Sequence, residues 1–128
     1  MGLFSRRAGT PASTTDPSPT VEKQIAEHSV IARYELPPGP TGTAADGQSL
    51  FRLEENLARA IHDARAGEFE GNELGSGGVT LYAYGPDADR LFAAMEPVLR
   101  AFPPRPAQVL LRYGSFSDEH APEVLLQL

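Results

Sequence analysis

Hydrophobic and polar residues alternate along several short segments, which is the pattern of a strand with one buried face. The first is SVIARYEL, Ser29 to Leu36, and prolines that cannot supply ladder N–H groups follow it. EFEGNEL and GGVTLYAYG flank the short linker GSG and predict a β-hairpin. AQVLLRYG, Ala107 to Gly114, predicts another strand, and EVLLQL at the C-terminal end can add a short one.

The first arm of the predicted hairpin breaks its own alternation. Phe69 and Leu74 are five residues apart, so a regular strand would place them on opposite faces. One extra residue near Gly71 and Asn72 would return them to one face, as in a β-bulge, and glycine permits the backbone that a bulge needs. We therefore predict a bulge in this arm.

Two longer segments have hydrophobic residues at helical spacing. The first follows Ser49, its expected N-cap, and ends before Gly67, the expected left-handed residue after the helix. The second follows Asp87, its expected N-cap. Because Pro97 lies inside the second pattern, we expect a kink or a break into two turns there.

In chain order the elements are β, α, β-hairpin, α, β, with a possible extra C-terminal strand. That order is the βαββαβ pattern of the ferredoxin-like fold, in which both helices cover one face of an antiparallel sheet. We therefore predict a single α+β domain over residues 29–128. Residues 1–28 are a predicted disordered tail, since most of them are rich in Pro, Ser and Thr without apolar periodicity. The loop PPGPTGTAADGQ is expected to be mobile.

Composition narrows the possible partners of this chain of 128 residues. A formal net charge of −6 weighs against nucleic acid, because binding it needs a basic face. The absence of cysteine excludes disulfides, thiolate nucleophiles and cysteine-ligated metals. No apolar run approaches the roughly 20 residues of a membrane span, and the N-terminal residues lack a signal-peptide core. We expect a cytoplasmic protein with no membrane partner.

Tyr82 and Tyr84 are the most informative pair in the hairpin. They alternate with Val79, Leu81 and Ala83, which the helices need for the core, so the tyrosines face the other side of the sheet. Four residues of the neighbouring strands fall on the same side: Ile31, Arg33, Leu110 and Arg112. Exposed aromatic patches mark interaction sites, so this surface predicts a protein partner or a homodimer unless the C-terminal segment folds back over it. Base stacking would need more basic neighbours than two arginines.

A second candidate site is a pocket near the hairpin, residues 67–84. Glu70, Asn72 and Glu73 cluster around the predicted bulge, and His62 lies near the end of the first helix. Two carboxylates on one strand face can bind a hard cation or act as acid and base, whereas on an edge strand the same charges prevent aggregation. The three histidines lack the spacing of metal ligands on one element, so we expect no metal site and no cofactor.

The run GEFEGNELGSGG…LYAYGPDADRLF, with VLLRYG after it, resembles a recurring pattern in small uncharacterised bacterial proteins. The resemblance covers residues 49–114. Such proteins have no established activity, so the resemblance implies neither a function nor site residues.

Three functions are compatible with these patterns. The favoured one is a non-enzymatic interaction or regulatory module that associates through the sheet face carrying Tyr82. The second is a small-ligand-binding protein or an enzyme with a pocket near residues 67–84. The third is an acidic inhibitor or immunity-type protein that binds a basic partner by charge complementarity. The presence or absence of a convergent pocket separates the second from the first.

Overall fold

The computed structural model of the chain describes residues 27–36, 47–115 and 117–128. The helices and strands in these ranges are β1 His28–Glu35, α1 Gly47–Ala64, β2 Glu68–Gly75, β3 Gly78–Gly85, α2 Ala88–Ala101, β4 Ala107–Arg112 and β5 Glu123–Gln127. The predicted disordered tail lies outside the described residues except for Glu27 and His28, and residues 37–46 of the predicted mobile loop also lie outside them.

The strands form a single sheet in the order β2-β3-β1-β4-β5, and every neighbouring pair is antiparallel. The chain is therefore an α+β protein with two described helices and a five-stranded antiparallel sheet, as the order of patterns predicts. The C-terminal strand β5 pairs with β4 and lengthens the sheet at its edge. It does not fold back over the face that carries Tyr82, so that alternative is ruled out for residues 123–127.

Both helices pack against the other face of the sheet and form one hydrophobic core with it. From the three middle strands the core takes Val30, Ala32, Tyr34, Val79, Leu81, Ala83, Val109 and Leu111, all at most 2% exposed. Leu57 of α1 and Leu91, Met95 and Leu99 of α2 are fully buried against them. Burying one leucine contributes on the order of 2 kcal/mol, so the apolar stripes of the two helices hold this layer in place.

Helix α1 begins and ends earlier than its sequence pattern predicts. It starts at Gly47, so Ser49 lies within the first turn and is not the N-cap. At the other end the left-handed residue is Arg65, with φ of 52°, and not Gly67. The Arg65 N–H donates to the carbonyl oxygen of His62 at 3.0 Å. An apolar stripe determines the body of a helix, but it carries no information about which polar residue ends it.

Gly67 serves a different purpose from the one predicted. Its φ is 149°, and a Cβ atom there would collide with the carbonyl oxygen of Tyr84. Gly85 has the reciprocal restriction, because a Cβ atom on it would collide with the carbonyl oxygen of Ala66. The chain that leaves α1 thus crosses the end of β3 at a distance that only glycine allows.

The predicted hairpin is present, with Ser76 and Gly77 as its two-residue turn. Both residues have positive φ, 53° and 75°. Two positive φ angles are the requirement of the type I′ turn, whose twist matches that of the flanking strands. Ser76 and Gly77 therefore connect the two arms through a two-residue β-hairpin turn.

The predicted bulge is also present, one residue nearer the N-terminus than expected. The β2–β3 register shifts between Phe69 and Gly71, so Glu70 is the extra residue. Gly71 has φ of 149°, which glycine adopts readily. As a result Phe69 and Leu74 lie on the same face of the strand, the one toward the helices.

Helix α2 is capped as predicted. The Asp87 carboxylate accepts hydrogen bonds from the N–H groups of Asp89 and Arg90 at 2.9 and 3.3 Å. The helix runs unbroken past Pro97 to Ala101, so the predicted break into two turns is wrong. A proline inside a helix costs about 3 kcal/mol, which the buried side chains of the same helix outweigh.

Candidate functional site

The sheet surface that faces away from the helices is called the open face. The three middle strands contribute Ser29, Ile31, Arg33, Thr80, Tyr82, Tyr84, Gln108, Leu110 and Arg112 to it. The edge strands contribute Glu68, Gly71, Glu73, Glu123, Leu125 and Gln127. All six residues that the sequence analysis assigned to an interaction surface thus lie together on one face.

An apolar row crosses the middle of the open face. Tyr82, Ile31, Leu110 and Leu125 stand directly opposite one another on four adjacent strands. Leu125 is 55% exposed, and the other three side chains are half-buried. At about 4.8 Å between strands, the row is roughly 15 Å long. Leu125 is not among the residues predicted for this surface, because EVLLQL predicts a strand without indicating where that strand pairs.

Polar side chains on the hairpin side of the apolar row bind one another. The Tyr82 hydroxyl donates to a carboxylate oxygen of Glu73 at 3.0 Å. Arg33 donates to the Thr80 hydroxyl at 3.1 Å and to the carbonyl oxygen of Ser76 at 3.0 Å. These bonds run along the sheet surface, so Tyr82, Glu73 and Arg33 each have a partner within the chain.

The same holds on the C-terminal side of the row. Arg112 forms an ion pair with Glu123 at 2.6 Å and also donates to the carbonyl oxygen of Asp118. Gln127 donates to the side-chain oxygen of Gln108 at 3.4 Å. A second surface can therefore cover the open face without leaving these groups unpaired, which is the main cost of burying polar side chains.

The two tyrosines of the open face stay neutral well above physiological pH. The hydrogen bond to Glu73 raises the pKa of Tyr82, and burial adds to that effect. Burial raises the pKa of Tyr84, with a smaller contribution from the charge of Glu70. Within the described part of the chain the Tyr84 hydroxyl makes no hydrogen bond, so it remains available as a donor at the surface.

The four residues of the predicted hairpin pocket are not brought together. Asn72 lies on the helix side of β2, where its amide donates to Glu54 of α1. Glu73 lies on the open face, Glu70 lies in the bulge, and His62 is exposed on the last turn of α1. The bulge turns neighbouring residues in different directions, so closeness in sequence does not give a shared site.

A shallow pocket of about 350 Å³ does lie at the turn end of the hairpin. It is lined by Arg33, Glu73, Leu74, Gly75, Ser76 and Thr80. Arg33 is held there by its bonds to Thr80 and Ser76, and Glu73 is held by Tyr82. The pocket therefore offers few polar groups that are free to engage a ligand.

In residues 27–36, 47–115 and 117–128, His, Asp and Glu side chains do not gather in groups of three or more that could hold a metal ion. Over the same residues, neither helix has the length and apolarity needed to cross a bilayer.

No family model, curated protein or solved structure matches this chain. Function is therefore inferred from the open face itself.

Proposed function

We propose that the protein is a non-enzymatic interaction module that self-associates through its open face as a two-fold dimer. The observation that supports this is an apolar row, half-buried except for the exposed Leu125, whose polar neighbours already bind one another. An enzyme site instead needs a nucleophile, acid or base that is free to meet a substrate in a concave pocket. A surface that is apolar in the middle and satisfied at its rim suits contact with another protein.

A second copy of the chain fits the open face better than a partner whose contact surface carries charges of one sign only. A two-fold axis that lies in the interface plane and runs along the apolar row lays the row of one copy on that of the other. The rim carries both signs, with Arg33 and Arg112 among the carboxylates of Glu35, Glu68, Glu73 and Glu123. Glu73 and Glu123 already bind Tyr82 and Arg112, and Glu35 lies 3.9 Å from Arg33. Little unpaired charge is therefore left to recognise a basic partner, so the inhibitor hypothesis is less well supported.

The size of the open face places the proposed dimer among the small interfaces that are typical of weak, transient complexes. Five strands about 4.8 Å apart and six residues at about 3.4 Å each form a face of on the order of 500 Å² per copy. Stable interfaces commonly bury about 800 Å² per partner. We therefore expect a dissociation constant in the micromolar range, with monomers and dimers in exchange.

We also assign the ferredoxin-like fold, with β5 as an added edge strand. In a split βαβ unit a helix joins two parallel strands that have an antiparallel strand between them. Here α1 joins β1 to β2 across β3, and α2 joins β3 to β4 across β1. This topology supports the assignment and places both described helices on one face of the sheet.

Sedimentation equilibrium at about 100 μM tests the proposed dimer, since a micromolar dissociation constant gives mostly dimer there. The double variant Tyr82→Lys/Tyr84→Lys should be a folded monomer, because four lysines would meet at the interface. The matched control is Phe51→Lys/Leu74→Lys, which changes two exposed hydrophobic residues, 61% and 60% exposed, that lie off the open face. The control should remain a dimer. A monomeric wild-type protein, or equal loss of dimer in both variants, would contradict the proposal.

A further inference from the structure

A groove of about 740 Å³ lies between the two helices, on the layer opposite the open face. The first half of α1 and the last turn of α2 line it, together with residues 103–105. Its volume falls within the range of small-molecule pockets, about 300–1,000 Å³. No local sequence pattern indicates the groove, because it depends on how the two helices cross.

The base and walls of the groove are largely apolar. Leu53 and Phe102 are 4% and 7% exposed and also belong to the hydrophobic core. Val98 is half-buried beside them, and Pro97 and Pro103 add apolar rings without any backbone N–H donor. A hydrocarbon or aromatic body can therefore rest on Leu53, Val98 and Phe102, while Ser49 and Asn56 add polar groups to the lining.

Among the residues that the structure describes, the charges that line the groove are all positive. Arg52 and Arg105 line it, and no described carboxylate does, although the chain has 17 Asp and Glu residues against 11 Lys and Arg. The nearby Glu96 is already paired with Arg100 at 2.8 Å. The groove is thus a cationic, apolar site on an acidic protein. Its positive charge attracts an anion, whereas the net negative charge of the protein repels one.

The two arginines differ in how firmly they are held. Arg105 donates to the carbonyl oxygens of Phe102, Pro104 and Arg100 at 2.7, 2.8 and 3.2 Å, which fixes its guanidinium group without neutralising the charge. Arg52 is exposed, and among the described residues it has neither an ion pair nor a hydrogen bond. Arg52 is therefore free to form the bidentate pair that a guanidinium group makes with a carboxylate.

We propose that this groove binds a small apolar carboxylic acid, with its body on Leu53, Val98 and Phe102 and its carboxylate on Arg52. Arg105 contributes a second, fixed positive charge to the lining. This site is separate from the proposed dimer interface and does not depend on it. The apolar lining selects against strongly hydrated anions such as free phosphate, which would leave the body of the groove empty.

The test is a titration of the full-length protein with octanoate, followed by NMR, with octanol as the neutral probe of equal length. Octanoate should shift the amide signals of residues 53, 98 and 102 and bind at least tenfold more tightly than octanol, since a charge-assisted pair is worth about that factor. Equal binding of the two probes would overturn the proposal. So would shifts confined to Ile31 and Leu110, which would place the molecule on the open face.

Substitutions distinguish the contribution of the Arg52 charge from that of the apolar lining and of the net charge of the protein. Arg52→Gln should weaken octanoate binding about tenfold and leave octanol binding unchanged. Ala101→Glu puts a carboxylate on an exposed position of the groove lining and should abolish octanoate binding. Arg90→Gln is the control, because Arg90 is an exposed arginine at the opposite end of α2. If Arg90→Gln weakens binding as much as Arg52→Gln does, only the net charge of the protein matters and the site is wrong.

Discussion

The hydroxyl of Tyr34 donates a hydrogen bond of 2.5 Å to the carbonyl oxygen of Leu99, and both residues are fully buried. The bond joins the central strand to the last turn of α2. The Leu99 carbonyl needs a donor from outside the helix, because the residue four positions later is Pro103, which has no N–H. The Phe102 N–H reaches the same oxygen only at 3.4 Å. Tyr34 therefore supplies the main partner of a buried helix-end carbonyl.

Removing this hydroxyl should destabilise the fold. We expect Tyr34→Phe to lower the free energy of unfolding by about 1–3 kcal/mol, the cost of leaving a buried acceptor unsatisfied. The ring remains, so its edge-to-face contact with Phe102 at 4.9 Å is kept. Tyr84→Phe is the control, and it should change stability by less than about 0.5 kcal/mol. Urea denaturation measures both, and equal losses would show that the hydroxyl of Tyr34 contributes nothing specific.

Stability should fall on the alkaline side. Burial raises the pKa of Tyr34, and each of the other three tyrosines also has a raised pKa in the folded protein. In the unfolded chain all four ionise near about pH 10. Their contribution to stability is therefore complete below about pH 10 and is lost as the pH rises from there through the folded-state values. Urea denaturation at a series of pH values should show this decline, with a shallower slope in Tyr34→Phe. A constant stability up to about pH 11 would contradict it.

Gly67 and Gly71 allow a steric effect to be separated from backbone strain. Both have φ of 149°, but a Cβ atom at Gly71 meets no atom within 4 Å, whereas one at Gly67 collides with the carbonyl oxygen of Tyr84. Gly71→Ala should cost about 1 kcal/mol, from the backbone alone. Gly67→Ala should cost about 3 kcal/mol or more, because two backbone segments must separate as well. Thermal unfolding compares the two, and equal effects would mean that the crossing of α1 and β3 is not tight.

The pairing of Tyr82 with Glu73 can be tested by titration. We expect Glu73→Gln to lower the pKa of Tyr82 toward its ordinary value, since the carboxylate both accepts the hydroxyl proton and repels the tyrosinate charge. Glu70→Gln is the comparison, because Glu70 acts on Tyr84 through its charge alone and to a smaller extent. Ring NMR signals followed through an alkaline titration report each tyrosine separately. An unchanged Tyr82 titration in Glu73→Gln would mean that the bond does not persist in solution.

Period-two alternation was sufficient to predict which face Tyr82 occupies, because a strand places successive side chains on opposite sides whatever it pairs with. The odd spacing of Phe69 and Leu74 likewise located the bulge to within one residue. Both inferences use local geometry alone. The caps of α1 could not be predicted in the same way. Glycine is the usual left-handed residue after a helix, so the sequence favours Gly67 for that position, whereas the structure has Arg65 there.

Most of the candidate site depends on pairing between distant segments. The bond between Arg112 and Glu123 requires the register of β4 with β5, and the groove beside Arg52 requires the crossing of two helices. No local sequence pattern indicates either the strand register or the helix crossing. The predicted cluster of Glu70, Asn72 and Glu73 is not formed. These residues are close in sequence, but the bulge places them on different sides of the strand.

The distance between spin labels on two copies of the chain tests the proposed dimer most directly. The chain has no cysteine, so a single introduced cysteine carries one label at one chosen position. Gln108→Cys places it on the open face, and Ala93→Cys places it on the exposed side of α2. Sheets packed face to face lie about 10 Å apart, with a helix layer about 10 Å further out on each side.

At about 100 μM, pulsed electron paramagnetic resonance should give an interspin distance below about 25 Å for Gln108→Cys and above about 30 Å for Ala93→Cys. A shorter distance for Ala93→Cys than for Gln108→Cys, or no interspin coupling at either position, would contradict association through the open face.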